Sequence, residues 1–149
     1  MSSETADPTP RPAPPETLDE VPQVRALMST RVVAIVPSAP LMTALRLMVA
    51  RAVRHLPVMD GGQCVGIVTE TDLLRGLAAR TGPAGAAALH VADVARAVTA
   101  VPESVPLDEA ATLMERGGLD ALLVADGDGA LVGIVTATDL IHALARHRH

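Results

Sequence analysis

The sequence predicts an α/β (α+β) fold in which a β-α-β-β-α unit occurs twice and the two copies pack into one pseudo-two-fold module. Three observations predict it. The phrase Gly66-Ile67-Val68-Thr69-Glu70-Thr71-Asp72-Leu73 returns as Gly133-Ile134-Val135-Thr136-Ala137-Thr138-Asp139-Leu140, displaced by 67 residues. Self-similarity at a fixed offset marks one structural unit used twice. Each phrase ends a pattern of apolar run, glycine turn and apolar run, which reads as a hairpin. Each hairpin is flanked by stretches with apolar residues at helical spacing.

In the first unit, Val32–Val36 is a β-branched run closed by Pro37 and predicts a strand. Leu41–Arg51 predicts a helix with Leu41, Leu45 and Met48 on one face. His55–Met59 and Cys64–Thr69 predict strands around the Asp60-Gly61-Gly62 turn, and Thr71–Arg80 a second amphipathic helix. The second unit repeats the order: strand Val98–Val101, helix Leu107–Arg116, strands Ala121–Ala125 and Leu131–Thr136 around Asp126-Gly127-Asp128-Gly129, and helix Thr138–His147. Short openings, Val24–Met28 and Leu89–Ala95, precede the units. The expected organisation is a Pro-rich, disordered tail at 1–23, a first repeat at 24–80, a small-residue linker at 81–88 and a second repeat at 89–147. Neither repeat is large enough to be comfortable alone, so the two should bury their sheets jointly.

Composition narrows the function. Of 149 residues 49% are hydrophobic, yet none is Phe, Tyr or Trp, so the core must be aliphatic with six Met as gap fillers. A chain without aromatics offers no stacking platform for bases, and its net charge of −5 opposes the phosphate backbone. We therefore expect no nucleic-acid partner. All basic residues are Arg, which excludes a Schiff-base or P-loop lysine and favours bidentate phosphate recognition. The single cysteine, Cys64, forms no intramolecular disulfide and fits a reducing compartment. The N-terminus lacks a signal-peptide pattern and no apolar run approaches the ~20 residues of a membrane span, so a cytoplasmic protein without a membrane partner is expected.

The β-α-β-β-α order, the run Arg54-His55-Leu56-Pro57-Val58-Met59-Asp60 and the paired G-I-V-T-x-T-D-L endings resemble the cystathionine-β-synthase (CBS) domain in its tandem form, the Bateman module. The resemblance covers about Val24 to His147. It implies a regulatory ligand of the adenosine class, AMP, ADP, ATP or S-adenosylmethionine, and no other cofactor. In that family each site is composite. Carried over, the stronger nucleotide site joins Ile134, Thr136, Thr138 and Asp139 to Met28, Val32, Val33, Val53 and Arg54 from the first repeat. The weaker site joins Ile67, Thr69, Thr71 and Asp72 to Ala97, Val98, Leu119 and Asp120 from the second. The aspartates would accept the ribose hydroxyls, with the threonine hydroxyls and helix N–H groups facing ribose and phosphate. Thr-x-Thr-Asp before a helix is also an ordinary N-cap cluster, and the two roles are compatible.

The matching positions Arg54 and Asp120 predict asymmetry. Arg54 can pair with a phosphate, whereas a like-charge contact at Asp120 costs about 1 kcal/mol at ~4 Å in water and several times more in a drier cleft. His55 is either a phosphate contact or a solvent-facing strand residue. His142, His147 and His149 share no clean helical face, so no metal site is expected there. Asp126 and Asp128 lack the spacing of a calcium loop, and Cys64 lacks a partner base. Asp108 and Glu109 open a helix, where the macrodipole accounts for them.

No nucleophile–base–orienter set emerges, and no enzyme is expected. The sequence thus predicts a free-standing regulatory module that binds an adenine nucleotide, forms a homodimer through helix faces such as Leu41/Leu45/Met48 and Leu113/Met114 (or uses those faces as core), and signals to a separate effector protein. The alternative is a ligand-independent dimerisation or protein-interaction module.

Overall fold

The computed structural model describes residues 21–79 and 89–146. In the first repeat helix α1 (Leu41–Arg51) turns Leu41, Ala44 and Met48 inward and ends at Ala52, whose N–H donates to the Met48 and Val49 carbonyls from a left-handed conformation, φ 56°. Strands β1 (His55–Asp60) and β2 (Gln63–Thr69) form an antiparallel hairpin. Gly61 and Gly62, at φ 59° and 88°, make its two-residue turn, a geometry that L-residues resist. Helix α2 (Glu70–Ala78) follows directly. The single-turn helix α3 (Val91–Val94) leads to strand β3 (Ala100–Pro102), helix α4 (Leu107–Gly117), hairpin β4 (Ala121–Ala125) and β5 (Leu131–Thr136), and helix α5 (Ala137–Arg146). In the second hairpin Asp126 Oδ1 accepts from the N–H groups of Asp128 and Ala130, so its carboxylate organises the turn.

The predicted helices and hairpins are present to within a residue or two, and the larger differences lie at the helix starts, the openings and the first strand. Helices α2 and α5 each begin one residue early, because Thr69 and Thr136 serve as the residues before the first turn. The opening Val24–Met28 shrinks to a 3₁₀ turn at Val24–Ala26, and Leu89–Ala95 to the four residues of α3. The predicted strand Val32–Val36 is reduced to one parallel bridge, Ile35 opposite Val58, while its counterpart lies at Ala100–Pro102 rather than Val98–Val101. Proline explains the contrast. In the second repeat Leu123 N–H donates to the Thr99 carbonyl at 3.0 Å. The matching donor in the first repeat would be Pro57, which has no N–H, so Val33 loses its ladder bond and the strand does not extend. The tail, the linker and the chain end beyond Arg146 lie outside the described residues.

The repeats exchange their openings. Val24 and Arg25 donate to the carbonyls of Val105 and Glu103 in the second repeat, and Ser29 pairs with Ile134 of β5 through two backbone bonds of 2.8 and 3.0 Å. Conversely, Val91 and Ala92 donate to Ala39 and Pro37 in the first repeat, and Arg96 pairs with Ile67 of β2, again at 2.8 and 3.0 Å. This crossing explains the glycine of each repeated phrase. A Cβ on Gly66 would lie 2.9 Å from the Arg96 carbonyl oxygen, and one on Gly133 2.6 Å from the Met28 sulfur. At Gly66 only glycine lets the incoming backbone pass so close, whereas at Gly133 a methyl would press first on the flexible Met28 side chain.

Three apolar clusters follow from this exchange. The first packs Leu41, Ala44, Met48, Leu56, Val58, Val68 and Leu73 with Val91 from the second opening. The next packs Val101, Ala110, Met114, Leu122, Val124, Val135 and Leu140 with Val24 from the first. Ile67, Ala121 and Leu123 join the two hairpins between them. Leu41, Met48 and Met114 are therefore core, and the helix faces expected to be available for dimerisation are used internally.

Candidate functional site: a cleft between the repeats

Thr136 and Asp139 cap α5 reciprocally. Thr136 Oγ1 accepts from the Asp139 N–H at 3.2 Å, and Asp139 Oδ2 accepts from the Thr136 N–H at 2.8 Å. Among the described residues Asp139 Oδ1 accepts no hydrogen bond, so half of the carboxylate keeps its acceptor capacity. Asp139 lines a cleft of about 500 Å³ bounded by both repeats. From the second repeat come Ile134, Thr136, Ala137, Thr138 and Asp139; Val32, Val33, Val53, Arg54 and His55 face them from the first. Apolar walls carrying a few convergent polar groups are the usual form of a small-molecule site.

Eight of the nine residues expected at the stronger site meet in this cleft. Met28 does not: it lies over Gly133 and packs in the second repeat's core. The cleft also contains Ser29, Arg31 and Pro57, which the sequence reading missed. Arg54 is 81% exposed and only loosely paired with Glu70 at 4.0 Å, so its guanidinium is available to an anion. His55 is not a solvent-facing strand residue; its side chain is mostly buried, with Nε2 3.1 Å from Asp120 Oδ1.

The helix cap at the matching position of the first repeat is built from the same residue types, but its carboxylate is engaged. Thr69 and Asp72 make the same reciprocal cap, at 3.1 and 3.3 Å. Arg96 then grips the Asp72 carboxylate: Nε lies 2.9 and 3.0 Å from its two oxygens, and Nη2 2.8 Å from Oδ1. Asp72 is only 8% exposed, and burial opposes its charge, but the hydrogen bonds from Arg96 and Thr69 outweigh that and hold the carboxyl below its ordinary value. Arg96 is held above its own ordinary value by its hydrogen bond to Asp72 and by the charges of Asp72 and, less, Asp120.

The other residues expected at the weaker site do not gather around Asp72. Leu119 packs in the second repeat's core, and Val98 lines a separate cavity with Cys64 and Leu123. Thr71 and Ala97 are exposed, and Ile67 is buried between the hairpins. Asp120 lines the Asp139 cleft. Arg54 and Asp120, expected to set two separate places apart, border the same cleft. What separates the two places is Ser29 against Arg96, which occupy matching backbone positions 67 residues apart. The unequal offset of Arg96 from Asp72, 24 residues in sequence, hid that contact; aligning the two openings by the repeat offset would have exposed it.

Elsewhere, Cys64 is half-buried and its thiol donates weakly to the Gly66 carbonyl at 3.3 Å. His142 is exposed on α5, and His147 and His149 lie outside the described residues. Among the described residues no cluster of three or more His, Cys, Asp or Glu could hold a metal, and no helix is long and apolar enough to cross a membrane.

Two β-α-β-β-α repeats that trade openings and share a cleft define the class of paired-repeat modules. The family model for the CBS domain matches residues 24–79 and 91–146, and the chain belongs to the CBS domain family. The CBS domain pair of protein MJ0100, solved with 5′-methylthioadenosine and S-adenosyl-L-methionine, superposes with a TM-score of 0.76 at 23% identity, over 86% of this chain and 99% of that one. CBSX2, solved with AMP, gives a TM-score of 0.70 at 30% identity, over 85% and 98%. Among curated proteins, the inosine-5′-monophosphate dehydrogenase of Thermoplasma acidophilum is 33% identical over 133 residues, 89% of this chain and 26% of that protein. A homoserine O-acetyltransferase of Methanococcoides burtonii is 33% identical over 118 residues, 78% of this chain and 23% of that protein. The chain spans about a quarter of the length of both.

Proposed function

We propose that this protein is a regulatory module that binds one adenosine nucleotide, of the AMP, ADP or ATP class or S-adenosylmethionine, in the Asp139 cleft and passes the occupancy to a separate effector. The observation that carries the reading is Asp139, with Oδ1 unengaged, lining a cleft walled by aliphatic side chains and edged by Arg31 and Arg54. A carboxylate oxygen accepts from a ribose hydroxyl, Val32, Val33 and Ile134 cover a purine without stacking, and the arginines face phosphate. The AMP bound to CBSX2 supports the ligand class. Among the described residues of this cleft none forms a nucleophile–base pair, which supports binding over catalysis.

A ligand acts on such a module only as far as it binds two states differently, and both walls of the cleft belong to different repeats, so occupancy biases their relative placement. The exposed apolar residues Val49 on α1 and Ile141 and Leu144 on α5 support a homodimer through these helices. The ligand-independent interaction module would use the same surface and need no cleft.

The two readings separate in thermal unfolding followed by circular dichroism, which needs no aromatic reporter. A ligand at 100 times its Kd adds about 2.7 kcal/mol to the folded state. We expect AMP, ATP or S-adenosylmethionine to raise the midpoint of the wild type and leave Asp139→Ala unmoved. An equal rise in Asp139→Ala would remove the cleft from the account, and no rise in either would favour the interaction module.

A further inference from the structure

We propose that His55 and Asp120 form a proton-operated charge gate at the rim of the Asp139 cleft, so that protonation of His55 strengthens the hold on a phosphorylated ligand. The proposal rests on the reading of that cleft given above. Both residues line the cleft, and they come from different repeats. His55 opens β1 and Asp120 immediately precedes β4, so the two hairpin registers set Asp120 in the place of Arg54 and Ala121 in the place of His55. The duplication therefore builds this histidine–carboxylate pair once. His55 Nε2 lies 3.1 Å from Asp120 Oδ1, and the Asp120 side chain is largely exposed. The nitrogen itself is buried and makes no aligned hydrogen bond among the described residues. The contact therefore draws its strength from charge rather than from a directed bond.

The other charged groups near the pair leave Asp120 to His55. Arg31, Arg54 and Asp139 line the same cleft, and Arg54 leans towards Glu70 at 4.0 Å. Arg96 feels the charge of Asp120 but is engaged with Asp72 at 2.8 Å. Among the described residues His55 is the only basic group within ion-pair distance of Asp120. While the imidazole is neutral, Asp120 leaves a negative charge at the edge of the cleft, and that charge opposes a phosphate. Once the ring takes a proton, a cation 3.1 Å away offsets it, and Arg31 and Arg54 act unopposed. Imidazole changes charge between about pH 5 and 8. A bound phosphate favours the protonated ring, so ligand and proton strengthen each other's binding by the same factor.

The test is calorimetric titration with AMP, and in parallel with uncharged adenosine, of the wild type, His55→Gln and Asp120→Asn at about pH 8 and about pH 6. Circular dichroism checks that each variant is folded. The ionisation of free AMP is common to all three proteins, so the ratios of their Kd values carry the result. At about pH 6 the wild type should bind AMP about fivefold more tightly than His55→Gln, the size of one charge contact at ~4 Å in water, and at about pH 8 the two should agree. At about pH 8 Asp120→Asn should bind AMP about fivefold more tightly than the wild type, a gain that fades by about pH 6. Adenosine should bind alike in all three. A His55→Gln that follows the wild type at both pH values overturns the proposal. So does an Asp120→Asn that binds AMP more weakly at both, which would make the pair a structural clasp between the repeats. Silence from AMP and adenosine in every protein overturns the reading of the Asp139 cleft, and the gate with it.

Discussion

Asp72 and Asp139 cap their helices with the same two hydrogen bonds, and each faces a residue at the same place in the opposite repeat. Arginine facing one and serine facing the other gives the carboxylates different work. Because Asp72 titrates below its unfolded value, the folded state binds fewer protons across that interval. Its contribution to stability is complete above the ordinary carboxyl range and drains away as the pH falls through the depressed value. We expect Asp72→Asn to cost about 1 kcal/mol at pH 7, since water screens the half-exposed guanidinium, and the deficit to close below about pH 4. A pH series of urea midpoints measures it; a deficit unchanged down to pH 2 would assign Asp72 a purely steric part. The aspartates and threonines were legible in the sequence because capping chemistry is local. Arg96 was not, because its partner is set by a strand pairing between repeats.

At the scale of the element, matching helices end differently. Helix α1 stops at Ala52 and α4 at Gly118, both left-handed, at φ 56° and 61°. An L-residue in that region is strained by roughly 1–2 kcal/mol, and glycine gives back part of the relief as unfolded-state entropy. Ala52→Gly should therefore stabilise the protein by up to about 1 kcal/mol, a few degrees in midpoint, while Gly118→Ala destabilises it by a similar amount. Equal, opposite-signed results from circular dichroism melts are expected; a loss of stability in Ala52→Gly would show that the Ala52 methyl, which borders the cleft, packs there. Helix and hairpin limits were readable to about a residue from period, caps and glycines. The strand at Val32–Val36 was misread because β-branching argued for it, while the proline that cuts its ladder sits in another strand.

The whole molecule depends on an exchange that no single repeat contains. Val24 completes the second repeat's core and Val91 the first's, so neither unit buries its apolar face alone. Duplication was legible; the exchange was not, since the openings are short and their partners distant. Val49 on α1 and Ile141 and Leu144 on α5 stay exposed and apolar, at 75%, 63% and 68% exposure. We expect sedimentation to give a dimer and the pair Ile141→Asp with Leu144→Asp to give a folded monomer; a monomeric wild type would contradict that surface's role.

The central claim, that one cleft of this duplicated module takes an adenosine nucleotide, meets its most direct test in calorimetric titration of the wild-type protein with AMP, ATP and S-adenosylmethionine in turn. The account predicts saturable heat from at least one of them, with about one molecule bound per chain. No heat from any of the three, or about two molecules per chain with Arg96 in place, would contradict it.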